Sequence, residues 1–188
     1  MRITRKWLDE KNACLEGVTW VTEYKLIGTE AIPFLESLIK VKKLDWANWL
    51  IVRVMSRKQY LSYAIYAAEQ VIDIYEKKYP EDKRPRQSID AAKKVLKNDT
   101  EKNRNAAAWA YAYAYAAYAA ANAYAAAAAY AAAAAAYAAA DAAYAAAAYA
   151  YAAYAYAAAA YAYAAYADKM KLNILTYGIK LLTERSGG

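Results

Sequence analysis

The chain has 188 residues, with 22 Tyr against five Gly, three Pro, one Phe, one Cys and no His, and a formal net charge of +7. So little Gly and Pro excludes an ordinary all-β fold, whose short strands need turn residues, and the absence of His removes the commonest general base and metal ligand at neutral pH. The single Cys14 excludes an intrachain disulfide and a thiolate zinc site, so no metal, no cofactor and no enzymatic activity are expected.

Helix signals run along the whole chain. The start, MRITRKWLDEKNA, has charges where a leader needs an apolar run and predicts no signal peptide. A helical stretch is predicted over 4–24, with Trp7, Leu8, Leu15, Val18 and Val21 at compatible spacing. Gly28 breaks it, and Thr29 is placed to cap a helix over 30–41 with Ile32, Leu35, Leu38 and Ile39 on one side. Asp45 is the expected N-cap of the apolar WANWLIVRVM segment. Ser56 caps the clearest helix, 57–79, where Leu61, Ala64, Ile65, Ala68, Val71, Ile72 and Tyr75 alternate steps of three and four. Pro80 ends it, the loop EDKRPRQ leads to a short helix over 88–97, and Asn98-Asp99-Thr100 offers a stop and a fresh cap. Trp7, Trp20, Trp46, Trp49 and Trp109 read as core residues, and Cys14 as a small buried apolar one.

Glu69, Asp73 and Glu76 stand at i, i+4 and i+7 on one flank of the 57–79 helix. Paired carboxylates can hold a metal or do acid–base work, but no His completes a site and Lys83, Arg84 and Arg86 follow directly. The expected role of these acids is therefore to anchor the Arg-Pro-Arg loop by charge-assisted hydrogen bonds. The alternative is that Arg84 and Arg86 grip a phosphate or a partner's carboxylate. There is no Gly-rich phosphate loop, no GxSxG and no RNA-binding aromatic motif. Residues 1–105 hold 21 basic and 15 acidic side chains, interleaved, which reads as a solvated surface rather than a nucleic-acid-binding arm.

DWANWLIVRVM at 45–55 and AIYAAEQVIDIYEKKYPEDKRPRQSIDAAKKVL at 64–96 resemble the "putative immunity protein" family of phages and polymorphic toxin loci. The run YEKKYPEDKRPRQSIDAAKK, Tyr75 to Lys94, is the most telling part: a helix end, Pro, an acid, Arg-Pro-Arg and an acid-containing amphipathic helix. The resemblance covers about residues 40–100, and many such proteins continue into Ala-rich helices. It implies an all-helical protein that binds and neutralises something; the expected location is the cytoplasm of a bacterial host.

Residues 106–167 are 44 Ala, 15 Tyr, Trp109, Asn122 and Asp141. Ala is the best helix former, and one helix over this tract would run ~93 Å. Asn122 and Asp141 favour caps over helix interiors, so a split near one or both is expected. Tyr130, Tyr137, Tyr144 and Tyr151 repeat every seven residues, as do Tyr149, Tyr156 and Tyr163 on a nearly opposite face and Tyr154 with Tyr161 on a third. The duplicated YAAAAYAYAAYA of 144–155 and 156–167 turns by about 120° per copy and so makes no straight stripe. A helix aromatic on several sides is expected to be surrounded by other helices or by a second subunit, the Tyr149, Tyr156 and Tyr163 face being also a candidate binding surface. The tract lacks the Leu, Ile, Val and Phe of a membrane span.

The expected architecture is all-α, with a helical domain over 1–100 and an Ala/Tyr-rich region over 101–188 packing on it or on a second copy in a homo-oligomer. The first functional reading is a non-catalytic inhibitor that occludes a toxin or host defence protein. The second is a sequestering protein for an anionic nucleotide signal, held among arginines and tyrosines. An ice-binding or structural role is a weaker third.

Overall fold

The computed structural model describes residues 1–121, 123–140 and 164–184. Every regular element among them is an α-helix, so the chain is all-α. It forms two compact units, Met1–Val54 and Met55–Gly188. The boundary expected near residue 100 therefore falls inside the second unit, where the helices before and after it share one core.

The first unit holds α1 (Arg5–Glu10), α2 (Leu15–Glu23), α3 (Ala31–Lys40) and α4 (Leu44–Val54). The stretch expected as one helix over 4–24 is broken at Asn12, whose φ is +54°. The break is a Schellman turn: Ala13 N–H reaches the Leu8 carbonyl and Asn12 N–H that of Asp9. The same two bonds recur after α2, from Leu26 to Val21 and Lys25 to Thr22, and after α3, from Lys43 to Leu38 and Lys42 to Ile39. At the last two the left-handed residue is lysine, with φ +55° at Lys25 and +59° at Lys42. Gly28, at φ +88°, closes the turn that pairs residues 2 and 30. Thr29 does not cap α3; Glu30 holds that position without a side-chain bond. The buried side chains include Ile3, Leu8, Val18, Val21, Phe34, Leu35, Leu38, Leu50 and Ile51, most of them the apolar stripes read from spacing. Asp45 lies in the first turn of α4 rather than before it.

The second unit holds α5 (Arg57–Glu69), α6 (Ile72–Lys78), α7 (Arg84–Lys97), α8 (Glu101–Ala120), α9 (Ala123–Ala140) and α10 (Ala164–Thr183). Ser56 and Gln59 close a reciprocal capping box at the start of α5. The expected 57–79 helix bends into two at Gln70–Val71, where Val71 has φ −128°; β-branched Val71 and Ile72 are the weak helix formers at the seam. α7 starts four residues earlier than expected, since Pro85 suits a first turn that needs no N–H there.

The Ala/Tyr tract divides at Ala121, whose backbone is extended. α9 is the centre of this unit and packs against α5, α6, α7 and α8. Ala128, Ala129 and Ala131 to Ala136 are all fully buried. The small side chains let neighbours come close enough for the buried Ser88 hydroxyl to donate to the Ala132 carbonyl at 3.0 Å. Tyr130 and Tyr137 form a ring seam with α8, Tyr137 meeting Tyr111 edge-on at 4.8 Å and Tyr130 meeting Tyr118 at 5.1 Å. At the far end of α9 the Arg57 guanidinium donates to the carbonyls of Ala138 and Ala139 at 3.4 and 2.9 Å, a cation against the negative helix terminus. α10 docks on α5 through stacked Tyr66 and Tyr177 rings 4.1 Å apart and a Gln59 to Leu181 hydrogen bond. Asn122, Asp141, Tyr144, Tyr149, Tyr151, Tyr154, Tyr156, Tyr161 and Tyr163 lie outside the described residues.

Candidate functional site

The charged residues singled out from sequence gather at the α6–α7 junction. Arg84 and Arg86 occupy the first turn of α7 two positions apart, which points them about 200° apart around the axis. Arg84 turns back on Asp82: Nε and Nη2 donate to its two carboxylate oxygens at 2.9 and 2.6 Å, and the Arg84 backbone N–H donates at 3.1 Å. The buried Tyr75 hydroxyl donates to the same carboxylate at 2.6 Å. Arg86 grips Glu76 with both arms, at 2.8 and 2.6 Å, and reaches Asp73 at 3.5 Å. Glu69 does not join them. With the helix bent at Val71 it faces α7 two turns further on and pairs with Lys93.

The electrostatics follow from these contacts. Hydrogen bonds from Arg84 hold the Asp82 carboxyl far below the usual range, and Arg84 itself is raised by that partner. Arg86 lowers Glu76 in the same way. Burial pushes the Tyr75 phenol well above its ordinary value, and the anionic Asp82 beside it adds to the effect. Both arginine forks are thus closed on carboxylates of their own chain, which fixes the α6–α7 corner. Sequence reasoning named Arg84 without naming its partner, although Asp82 stands only two residues before it. A second charged hub was missed: Asp99, between α7 and α8, accepts from Arg57 at 2.9 Å and Arg104 at 2.8 Å.

Two residues expected to be buried, Trp109 and Cys14, are exposed. Trp109 is not core; it is 67% exposed, and Tyr113 one turn on is 59% exposed. Together with exposed Lys102, Asn105, Ala112 and Ala116 they form the outer face of α8. Ala107, Ala114 and Ala117 face inward instead, because the close approach of α9 admits only the smallest side chain. Cys14 is exposed, and its sulfur accepts from the Gly17 N–H at 3.3 Å as the N-cap of α2.

Among the described residues no group of His, Cys, Asp or Glu is placed to hold a metal, and no helix is long and apolar enough to cross a membrane. Fold and site together define an all-α protein whose second unit is clasped by paired charges around an alanine-built core. Within that class, residues 51–181 match the family described as Imm-5 like putative immunity protein, and the chain belongs to that family. The match extends past the Tyr75–Lys94 run through most of the Ala/Tyr region. Comparison with curated proteins and with solved structures finds no match.

Proposed function

We propose that the chain is a non-catalytic immunity protein that binds a toxin, or a host defence protein acting in its place, and occludes it in the cytoplasm of a bacterial host. The observation that carries this reading is the family match over residues 51–181. The α8 face supports it: Trp109 and Tyr113 are large, exposed and one turn apart within the matched region, and exposed aromatic anchors are what protein interfaces use most. The nucleotide-sequestering alternative has less to rest on, since Arg84 and Arg86 already hold carboxylates.

The test is co-expression with each toxin encoded beside the gene. Restored growth and a stable complex on size exclusion are expected, and the Trp109→Ser/Tyr113→Ser pair should keep the parent's helicity while losing at least tenfold in affinity. Failure to rescue or to bind any such toxin, with cyclic nucleotides binding by calorimetry instead, would replace the inhibitor with the sequestering protein.

A further inference from the structure

α2 in the first unit turns a groove outward. Leu15, Glu16, Thr19, Trp20 and Glu23 line an open space of about 430 Å³. Their spacing of i, i+1, i+4, i+5 and i+8 puts all five on one side of the helix. Leu15 is 79% exposed, an apolar side chain with nothing of its own chain over most of it. Trp20 is held in place: its ring stacks on Tyr24 at 4.3 Å and meets Trp46 at 5.8 Å and 68°. The floor is thus aliphatic and aromatic, and a carboxylate stands at each end. Glu16 and Glu23 are two helical turns apart, about 10 Å along the axis.

The immediate surroundings already display the matching chemistry. The Lys43 ammonium lies 4.1 Å over the Trp46 ring and 3.8 Å from Glu16. An ammonium between an indole face and a carboxylate is favoured on both sides. Glu16 remains 77% exposed beside it, open to a second cation.

We propose that this groove docks a basic segment of a partner protein, with Lys or Arg stems lying over Leu15 and Trp20 and their charged heads at Glu16 and Glu23. Long basic side chains combine an apolar stem with a charged tip, which is the combination the groove presents in complement. A polyproline II segment advances about 9 Å in three residues and returns to the same face, so basic residues three apart reach both glutamates. Residues 15–23 lie outside the family-matched region, so this surface is additional to the proposed toxin inhibition and does not depend on it.

The experiment is fluorescence anisotropy on the full chain with a labelled peptide, Gly-Gly-Arg-Gly-Gly-Arg-Gly-Gly, and its twin carrying citrulline for arginine, which keeps the shape and loses the charge. The arginine peptide should bind, more weakly as salt rises, and the citrulline peptide at least tenfold less well. Glu16→Gln/Glu23→Gln should weaken arginine-peptide binding about three- to tenfold with an unchanged melting temperature, both side chains being exposed. Leu15→Ser tests the floor without touching the Trp20 packing and should also weaken binding. The proposal is overturned by equal binding of the two peptides, by affinity unaltered in the double variant, or by no binding up to about 1 mM peptide.

Discussion

Lys25 and Lys42 occupy left-handed backbone that glycine adopts freely and lysine does not. Both sit at the residue just past a helix end, and both side chains are exposed, so removing the side chain loses no packing. Lys25→Gly and Lys42→Gly should each stabilise the chain by about 0.5–1 kcal/mol, seen as a higher thermal midpoint; a lower one would mean the side chains make contacts that matter. Asp82 gives the opposite case. Its carboxyl titrates lower in the fold than its ordinary value of 3.8 because Arg84 and Tyr75 bond the anion. The native state therefore favours the deprotonated form, and this stability is fully present above pH ~4 and lost as pH falls below it. Asp82→Asn should cost about 1–3 kcal/mol at neutral pH and flatten the acid limb of the stability profile, with Glu76 and Asp99 supplying the slope that remains. Acid denaturation that is equally steep in the variant would show that the carboxylate is not linked to folding. The Asp82 partnership was open to sequence reading in principle, through the short step from Asp82 to Arg84. The exposure of Cys14 and Trp109 was not, because an apolar residue on a helix looks alike whether or not a neighbour covers it.

At the scale of elements, helix type was legible nearly everywhere and the joints were not. The 57–79 pattern continues smoothly across Gln70 and Val71, so nothing in its spacing marks the bend that sends Glu69 to Lys93 and Glu76 to Arg86. That division is measurable. A double-mutant cycle of Arg86→Ala with Glu76→Ala should show coupling of about 0.5–3 kcal/mol, and one of Arg86→Ala with Glu69→Ala should be additive within about 0.5 kcal/mol. α9 poses the converse problem. Its alanines carry no periodicity, so the sequence says that the helix is apolar all round without saying which helices enclose it. Fully buried Ala132 leaves no room for branching, and Ala132→Leu should cost about 1–3 kcal/mol or more through overpacking. Ala112→Leu, on the exposed side of α8, should be close to neutral by chemical denaturation. Similar costs at both positions would mean that α9 is not the packed centre.

At the scale of the whole molecule, the expected division at residue 100 followed composition, because the Ala/Tyr bias begins just after it. Packing follows a different line, since α7 supplies Ser88 and buried Ile89, Ala92 and Val95 to the core that encloses α9. The observed division after Val54 lies close to the start of the family-matched region at residue 51. Residues 55–188 retain the Ser56 capping box, the Arg57 contacts to the end of α9 and both clasped arginines of α7. A fragment of residues 55–188 should therefore give a helical circular dichroism spectrum, melt cooperatively and, on the proposed function, still neutralise the toxin that the full chain neutralises. It should fail to bind the arginine peptide, whose groove lies on α2. Loss of both activities with a broad, non-cooperative melt would show that the second unit cannot fold without the first. A folded fragment that binds neither toxin nor peptide would move the inhibitory surface onto residues 1–54, where no part of the Trp109–Tyr113 face resides.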